Sequence, residues 1–83
     1  MKDLGTQEEI MLSDIEPGSA GRIKSMNVPL EISKYLAGLG ICEGRDIHIV
    51  KRGEPYIVRT YGSRVGIESS LVKQIQVSLA PTV

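Results

Sequence analysis

Apolar and polar residues follow a helical period in the middle of this chain and a strand period after it. Four apolar residues recur at positions i, i+3, i+4 and i+7, which places them on one stripe of an α-helix: Ile32, Tyr35, Leu36 and Leu39. Pro29 fits the first turn of this helix, where a missing N–H costs nothing. The segment from Leu30 to Gly44 therefore predicts a short helix with a buried stripe, followed by a turn into a strand.

The end of this helix is predicted at Gly40, because glycine takes the left-handed conformation that closes a helix. With Gly40 at C′, Leu36 and Ile41 occupy the two positions whose apolar contact accompanies a Schellman motif. The helix is thus expected to be clamped at its end by an apolar pair.

Alternating apolar and polar residues predict strands before and after the helix. Five strands are predicted in this way: 21–26, 46–51, 56–61, 64–67 and 74–79. A short helical turn is predicted over 68–73, and the apolar cluster in 10–15 is expected to cover one end of the fold. Five short strands leave exposed edges unless the sheet curls. We therefore predict a mainly β fold, a small barrel with one inserted helix.

The hairpin between residues 56 and 67 has a register that can be derived from its turn. Gly62-Ser63 is typical of a tight two-residue link, which would pair Tyr61 with Arg64. Two faces follow, an apolar one with Tyr56, Val58, Val65 and Ile67, and a mixed one with Ile57, Arg59, Tyr61 and Arg64. The apolar face is predicted to be core.

Composition narrows the class of protein. The chain has 83 residues, 41% of them hydrophobic, and its ten basic and ten acidic residues cancel. This predicts one globular domain over 10–79, between flexible tails at 1–9 and 80–83, without a global field that attracts nucleic acid or membranes. A single cysteine excludes an internal disulfide, and no segment has the apolar length of a signal or a membrane span. We expect a cytoplasmic protein without direct membrane insertion.

Residues for catalysis are sparse. His48 is the only histidine, and the sequence places no nucleophile or carboxylate in a fixed position beside it. The glycines match neither a P-loop nor a dinucleotide fingerprint. We expect no enzymatic activity.

Three segments in this order resemble the FeoA family: Leu12 to Gly18 as "apolar-Ser-Asp-Ile-x-Pro-Gly", the "LGI-x-x-G" segment from Leu39 to Gly44, and the "YGSRVGI" hairpin from Tyr61 to Ile67. The resemblance covers about residues 11–79. It implies an SH3-like barrel with an inserted helix, acting in the bacterial cytosol as an accessory of ferrous iron uptake. The implied partner is the cytoplasmic domain of the membrane GTPase transporter FeoB. A similar domain ends iron-dependent repressors of the DtxR type, where it makes protein contacts.

One departure from this family concerns the helix. Members commonly carry arginine just before the leucine of "L-x-x-L-G", where this chain has Lys34 and Tyr35. A basic helix face that contacts the transporter would be diminished here.

A metal site is one hypothesis, since the family is linked to transition metals and four residues with metal-ligating side chains fall in one segment: Cys42, Glu43, Asp46 and His48. Thiolate, imidazole and carboxylate suit zinc or ferrous iron. The alternative is that Cys42 acts as a small buried hydrophobe and His48 as a solvated strand residue. We prefer this alternative, because one cysteine and one histidine do not complete a four-ligand site.

A docking surface is the second hypothesis. Arg59, Tyr61 and Arg64 share the non-core face of the hairpin, while Leu30 and Lys34 share the outer face of the helix. Arginine and tyrosine are enriched at interface hot spots, although a solvated charged face would look the same. We predict that FeoB docks on these five residues. A metal-sensing module and a small nucleic-acid-binding barrel remain alternatives, zero net charge disfavours nucleic acid, and self-association stays open.

Overall fold

The structure of the chain is a computed structural model that describes residues 9–79. The tails predicted at 1–9 and 80–83 lie outside this range, except for Glu9, which begins the first strand. Six strands and two helices follow along the chain: β1 Glu9–Met11, β2 Ala20–Met26, α1 Leu30–Gly38, β3 Asp46–Lys51, β4 Tyr56–Thr60, β5 Ser63–Ile67, α2 Ser69–Val72 and β6 Ile75–Ser78. A single 3-10 turn, Leu12–Asp14, links β1 to the chain before β2.

The strands form one antiparallel sheet in the order β1-β6-β2-β3-β4-β5. The mainly β fold with one inserted helix is therefore as predicted, but with six strands rather than five. The extra strand is β1, which lies in the segment that we predicted only as an apolar cover. Three residues are too few to show an alternating pattern, and β1 forms because Ile10 pairs with Val77 of β6.

The core is one layer of aliphatic side chains. It consists of Leu12, Ile15, Ile23, Leu36, Ile41, Ile47, Ile49, Val58, Ile67, Val72, Ile75 and Val77. These residues come from strands β2 to β6, from both helices, from the 3-10 turn and from the segments directly after the 3-10 turn and after α1. Among residues 9–79, no helix has the length and apolar character needed to cross a membrane.

Helix α1 ends as its sequence predicts. Gly40 has φ +91°, the Ile41 N–H donates to the Leu36 carbonyl at 2.9 Å, and the Gly40 N–H donates to the Ala37 carbonyl at 2.9 Å. These are the two hydrogen bonds of a Schellman motif, and both Leu36 and Ile41 are fully buried. Pro29 lies just before the helix rather than inside its first turn.

The predicted helix stripe is wrong at Tyr35. Leu36 is buried and Ile32 and Leu39 are half-buried, but Tyr35 remains 60% exposed. Helix α1 has nine residues and buries only a narrow strip of them, in which Leu36 is the one fully buried side chain. Tyr35, on the margin of that strip, turns its ring outward.

The predicted register of the hairpin is wrong by two residues. Thr60 pairs with Ser63 and Arg59 with Arg64, so the turn residues are Tyr61 and Gly62. Both have positive φ, 55° and 81°, as a type I′ turn requires. A shift of two residues leaves every side chain on its original face, so Val58 and Ile67 still point to the core.

Candidate functional site

A cleft of about 380 Å³, lined mainly by charged residues, opens between the start of β3 and the hairpin turn. Six side chains line it: Arg22, Arg45, Asp46, His48, Arg59 and Tyr61. Two glycines, Gly44 and Gly62, complete the wall with backbone. The cleft thus combines residues from β2, β3, β4 and two turns.

Backbone hydrogen bonds hold the β3 side of this cleft against β2. The Gly44 N–H donates to the Ile23 carbonyl at 2.8 Å, and the Ile23 N–H donates to the Arg45 carbonyl at 2.9 Å. Gly44 has φ +89°, a conformation that favours glycine, and it turns the chain after the helix cap into β3. Arg45 is therefore presented to the cleft from a fixed backbone.

Thr60 ties the hairpin to the same region. Its buried hydroxyl lies 3.2 Å from the Asp46 carbonyl oxygen and 3.4 Å from the Gly40 carbonyl oxygen, so its one hydrogen is shared between these two acceptors. The hydroxyl thereby links β4 to the start of β3 and to the cap of α1. Tyr61, the next residue, is placed at the rim of the cleft by this tether.

Charged and aromatic side chains pair within the cleft. The Arg22 guanidinium donates from Nε to Asp46 Oδ1 at 3.0 Å, with both side chains 62% exposed. Such an exposed ion pair contributes little to stability. The Arg45 guanidinium carbon lies 4.2 Å from the centroid of the Tyr61 ring, a cation–π contact. This contact orients the ring and the guanidinium together.

The predicted docking residues of the hairpin lie at this cleft. Arg59 and Tyr61 line it, and Arg64 is the direct cross-strand partner of Arg59. All three are exposed, Tyr61 to 78%. The fold does not bury these side chains, so they are available to a partner.

The predicted docking residues of the helix lie on another surface. Leu30 is 69% exposed and Lys34 is exposed one turn further along the same face. Neither lines the cleft. The five predicted docking residues therefore form two patches, a hairpin patch of Arg59, Tyr61 and Arg64 and a helix patch of Leu30 and Lys34.

The predicted metal residues are only partly brought together. His48 is half-buried and lines the cleft beside Asp46, whereas half-buried Cys42 and exposed Glu43 do not line it. Within residues 9–79, no three cysteine, histidine or acidic side chains are grouped so that they could hold an ion. Metal binding by Cys42, Glu43 and His48 stays a prediction, which this grouping of side chains does not support.

A second, apolar groove of about 340 Å³ lies between α1, the hairpin and α2. It is lined chiefly by Ile32, Tyr35, Leu39, Pro55, Ile67 and Leu71. The outward ring of Tyr35 forms part of its wall. At this groove the short helix α1 leaves apolar side chains of the domain exposed to solvent.

Arg22 and Arg45 were not found as site residues by sequence reasoning. Both stand singly in the sequence, at distances of 37 and 14 residues from Arg59. Arg22 reaches the cleft through the pairing of β2 with β3, in which Arg22 faces Asp46. The signal available in the sequence was Arg45 directly before a predicted strand, which is weak by itself.

Taken together, the fold and the cleft define a small antiparallel β domain with an inserted helix and an arginine-rich recess beside its hairpin turn. The family model described as "FeoA domain" matches residues 10–79. The chain belongs to the FeoA family, whose domains are accessories of transport, and this membership implies a role in ferrous iron transport.

Solved structures agree with this assignment. A crystal structure of an iron uptake regulatory protein, FeoA, has a TM-score of 0.79 at 22% identity, with 86% of this chain and 97% of that chain covered. FeoA from Chlorobium tepidum has a TM-score of 0.80 at 19% identity, with coverage of 87% and 71%. The predicted SH3-like fold of the FeoA family is thereby confirmed.

Two further structures place the same fold within longer chains. Iron(II) transport protein A from Clostridium thermocellum has a TM-score of 0.78 at 26% identity, with 84% of this chain and 45% of that chain covered. A manganese-dependent transcriptional repressor has a TM-score of 0.79 at 19% identity, with 92% of this chain and 44% of that chain covered. Comparison with curated proteins finds no significant match.

Proposed function

We propose that this chain is a non-enzymatic, cytoplasmic accessory of ferrous iron uptake that acts by contact with the cytoplasmic domain of the transporter FeoB. Ferrous iron is then the cargo of the partner and not a resident cofactor of this chain. Membership of the FeoA family supports the pathway. The contact with FeoB is the part that needs a surface on this chain.

The observation that carries the proposal is the hairpin patch. Tyr61 is 78% exposed, and Arg59 and Arg64 are exposed beside it, on strands whose opposite face is core. An arginine and a tyrosine side by side are the residue types that most often dominate protein interfaces. The fold does not require these side chains for packing, which favours a role outside the domain itself.

The first test replaces the two patches in turn and measures the dissociation constant for a FeoB cytoplasmic domain by calorimetry. Tyr61→Ala with Arg64→Ala should weaken binding by more than about 1 kcal/mol if either residue is a hot spot. Leu30→Glu with Lys34→Glu tests the helix patch in the same way. Thermal unfolding should change little for both, because these side chains are exposed.

Lys73→Ala with Gln74→Ala is the matched control, since both residues are exposed and lie outside the two patches. It should bind as the parent does. A parent that does not bind the FeoB domain refutes the proposal. Unchanged binding by both patch variants places the interface elsewhere on the domain.

A further inference from the structure

The cleft beside the hairpin turn has an excess of positively charged side chains, although the formal net charge of the whole chain is zero. The chain has five arginines and a formal net charge of zero. Three of the five, Arg22, Arg45 and Arg59, line the cleft, and Arg64 lies directly across from Arg59. Among the described residues, Asp46 is the one carboxylate in the lining, and it already accepts a hydrogen bond from Arg22. Positive charge in the cleft therefore exceeds negative charge.

The pairing of Arg59 with Arg64 has no evident structural benefit. Like charges placed directly opposite on neighbouring strands destabilise a sheet. Arg52 differs from them, because its Nη2 donates to the Ile15 carbonyl at 3.1 Å and so holds a core-bearing loop. Two opposed guanidiniums on an exposed hairpin are stabilised when an anion binds between them.

The backbone conformation of Tyr61 is a second indication that this cleft is a binding site. It is the only non-glycine residue within the described range that has positive φ, in a turn position where asparagine or glycine is preferred. Strained residues of this kind cluster at functional sites. The ring is 78% exposed at the rim of the cleft and contacts Arg45 on one side. Its placement offers an aromatic contact to whatever enters the cleft.

We infer that the cleft, together with Arg64, binds an acidic protein segment, with side-chain carboxylates on Arg45, Arg59 and Arg64 and with Tyr61 against the backbone of that segment. The planar guanidinium fork matches a carboxylate with two parallel hydrogen bonds. This inference deepens the proposed function by naming the chemistry of the partner's surface, and it rests on that function only for the identity of the partner.

A protein segment fits this surface better than nucleic acid does. Binding to nucleic acid relies on a basic groove that tracks many phosphates and on several stacking aromatics. This chain has no net charge, and Tyr61 is the single tyrosine in the cleft lining, beside the imidazole of His48. A divalent cation is disfavoured as well, because three arginines share the lining of the cleft with His48.

The test is an NMR titration of the full chain with tetraglutamate peptide, followed through the backbone amides. We expect the largest changes in amide chemical shift at Arg45 and at residues 59–64. We also expect the affinity for the peptide to fall as the salt concentration is raised. The variant Arg59→Gln should raise the dissociation constant at least about fivefold. Lys73→Gln removes the same charge at an exposed site outside the cleft and should leave the constant unchanged.

The variant Arg59→Gln should fold, because it removes a cross-strand repulsion and no buried contact. Shifts that spread over all lysines and arginines, or equal weakening by Arg59→Gln and Lys73→Gln, overturn the inference. So does tighter binding of a single-stranded oligonucleotide than of tetraglutamate at equal salt. Failure of the FeoB domain to bind, with tetraglutamate still seated in the cleft, refutes the proposed function and leaves this inference standing.

Discussion

At the scale of the residue, Tyr61 combines an unfavourable backbone conformation with an exposed side chain that adds little to packing. Its φ of 55° places a large aromatic residue in the left-handed region, at a free-energy cost on the order of 1 kcal/mol or more. The contact with Arg45 returns only part of this cost, since an exposed cation–π pair contributes about 0.5 to 1 kcal/mol. Stability alone therefore does not explain a tyrosine at this position.

We expect Tyr61→Asn to leave the free energy of unfolding unchanged or to raise it by up to about 1 kcal/mol, because asparagine tolerates the left-handed conformation. The same variant should bind the FeoB domain more weakly than the parent. Urea denaturation and calorimetry measure the two effects. Tyr35→Asn is the control, as its tyrosine is also exposed but has helical backbone, so it should gain no stability from the change.

A loss of more than about 1 kcal/mol in Tyr61→Asn would show that the tyrosine ring stabilises the hairpin more than its backbone strains it. Tyr61 would then be a structural residue.

At the scale of the element, helix α1 and its cap depend on one buried side chain. Leu36 is 0% exposed, and its carbonyl accepts the hydrogen bond that closes the Schellman motif. The sequence was sufficient to predict this arrangement, because a helix cap is a local structure formed by Gly40 and its neighbours. The exposure of Tyr35 was not predictable in the same way, since it depends on how wide a strip the sheet covers.

We expect Leu36→Ala to lower the free energy of unfolding by about 2 to 5 kcal/mol, because it leaves a cavity in the core and removes the apolar partner of Ile41. In a domain this small, that loss is a large part of the total stability. Denaturant unfolding followed by circular dichroism measures it. Lys34→Ala, on the exposed face of the same helix, should change stability by less than about 0.5 kcal/mol.

A melting temperature of Leu36→Ala close to that of Lys34→Ala would contradict a core role for the helix. The helix would then contribute little to the stability of the domain, and the sheet would be stable without it.

The hairpin, unlike the helix cap, could not be predicted fully from the local sequence. A glycine in the turn located the hairpin, but two neighbouring dipeptides, Tyr61-Gly62 and Gly62-Ser63, could both form the link. The choice between them depends on cross-strand packing, in which Val58 meets Val65 and Tyr56 meets Ile67. The faces of the strands were predictable because they depend only on whether the shift is even.

At the scale of the whole molecule, charges from separate strands decide what the cleft can bind. His48 shares its lining with Arg22, Arg45 and Arg59, whereas Cys42 is not in that lining. We expect calorimetric titration with zinc or ferrous iron, under reducing conditions, to show at most weak binding. The double variant Cys42→Ser with His48→Ala should give the same heats as the parent, because guanidiniums repel a divalent cation.

Tight binding of one ion per chain that is lost in the double variant would contradict this expectation. It would restore the metal site that the sequence segment from Cys42 to His48 suggested. A His48→Ala single variant would then separate a ligand role of the imidazole from one of the thiol.

The sequence by itself determined the features that depend on neighbours along the chain. These are the helix with its Gly40 cap, the positions of five strands, the inward and outward faces of the hairpin, and the family, since each is encoded by local periodicity or by motif order. Only the tertiary structure decided the strand β1, the exposure of Tyr35 and the cleft itself. The strand β1 depends on its pairing with β6, and the exposure of Tyr35 depends on how wide a strip of the helix is covered. The cleft depends on strand pairing that brings Arg22, Arg45 and Arg59 together from distant positions, and no local preference encodes such contacts.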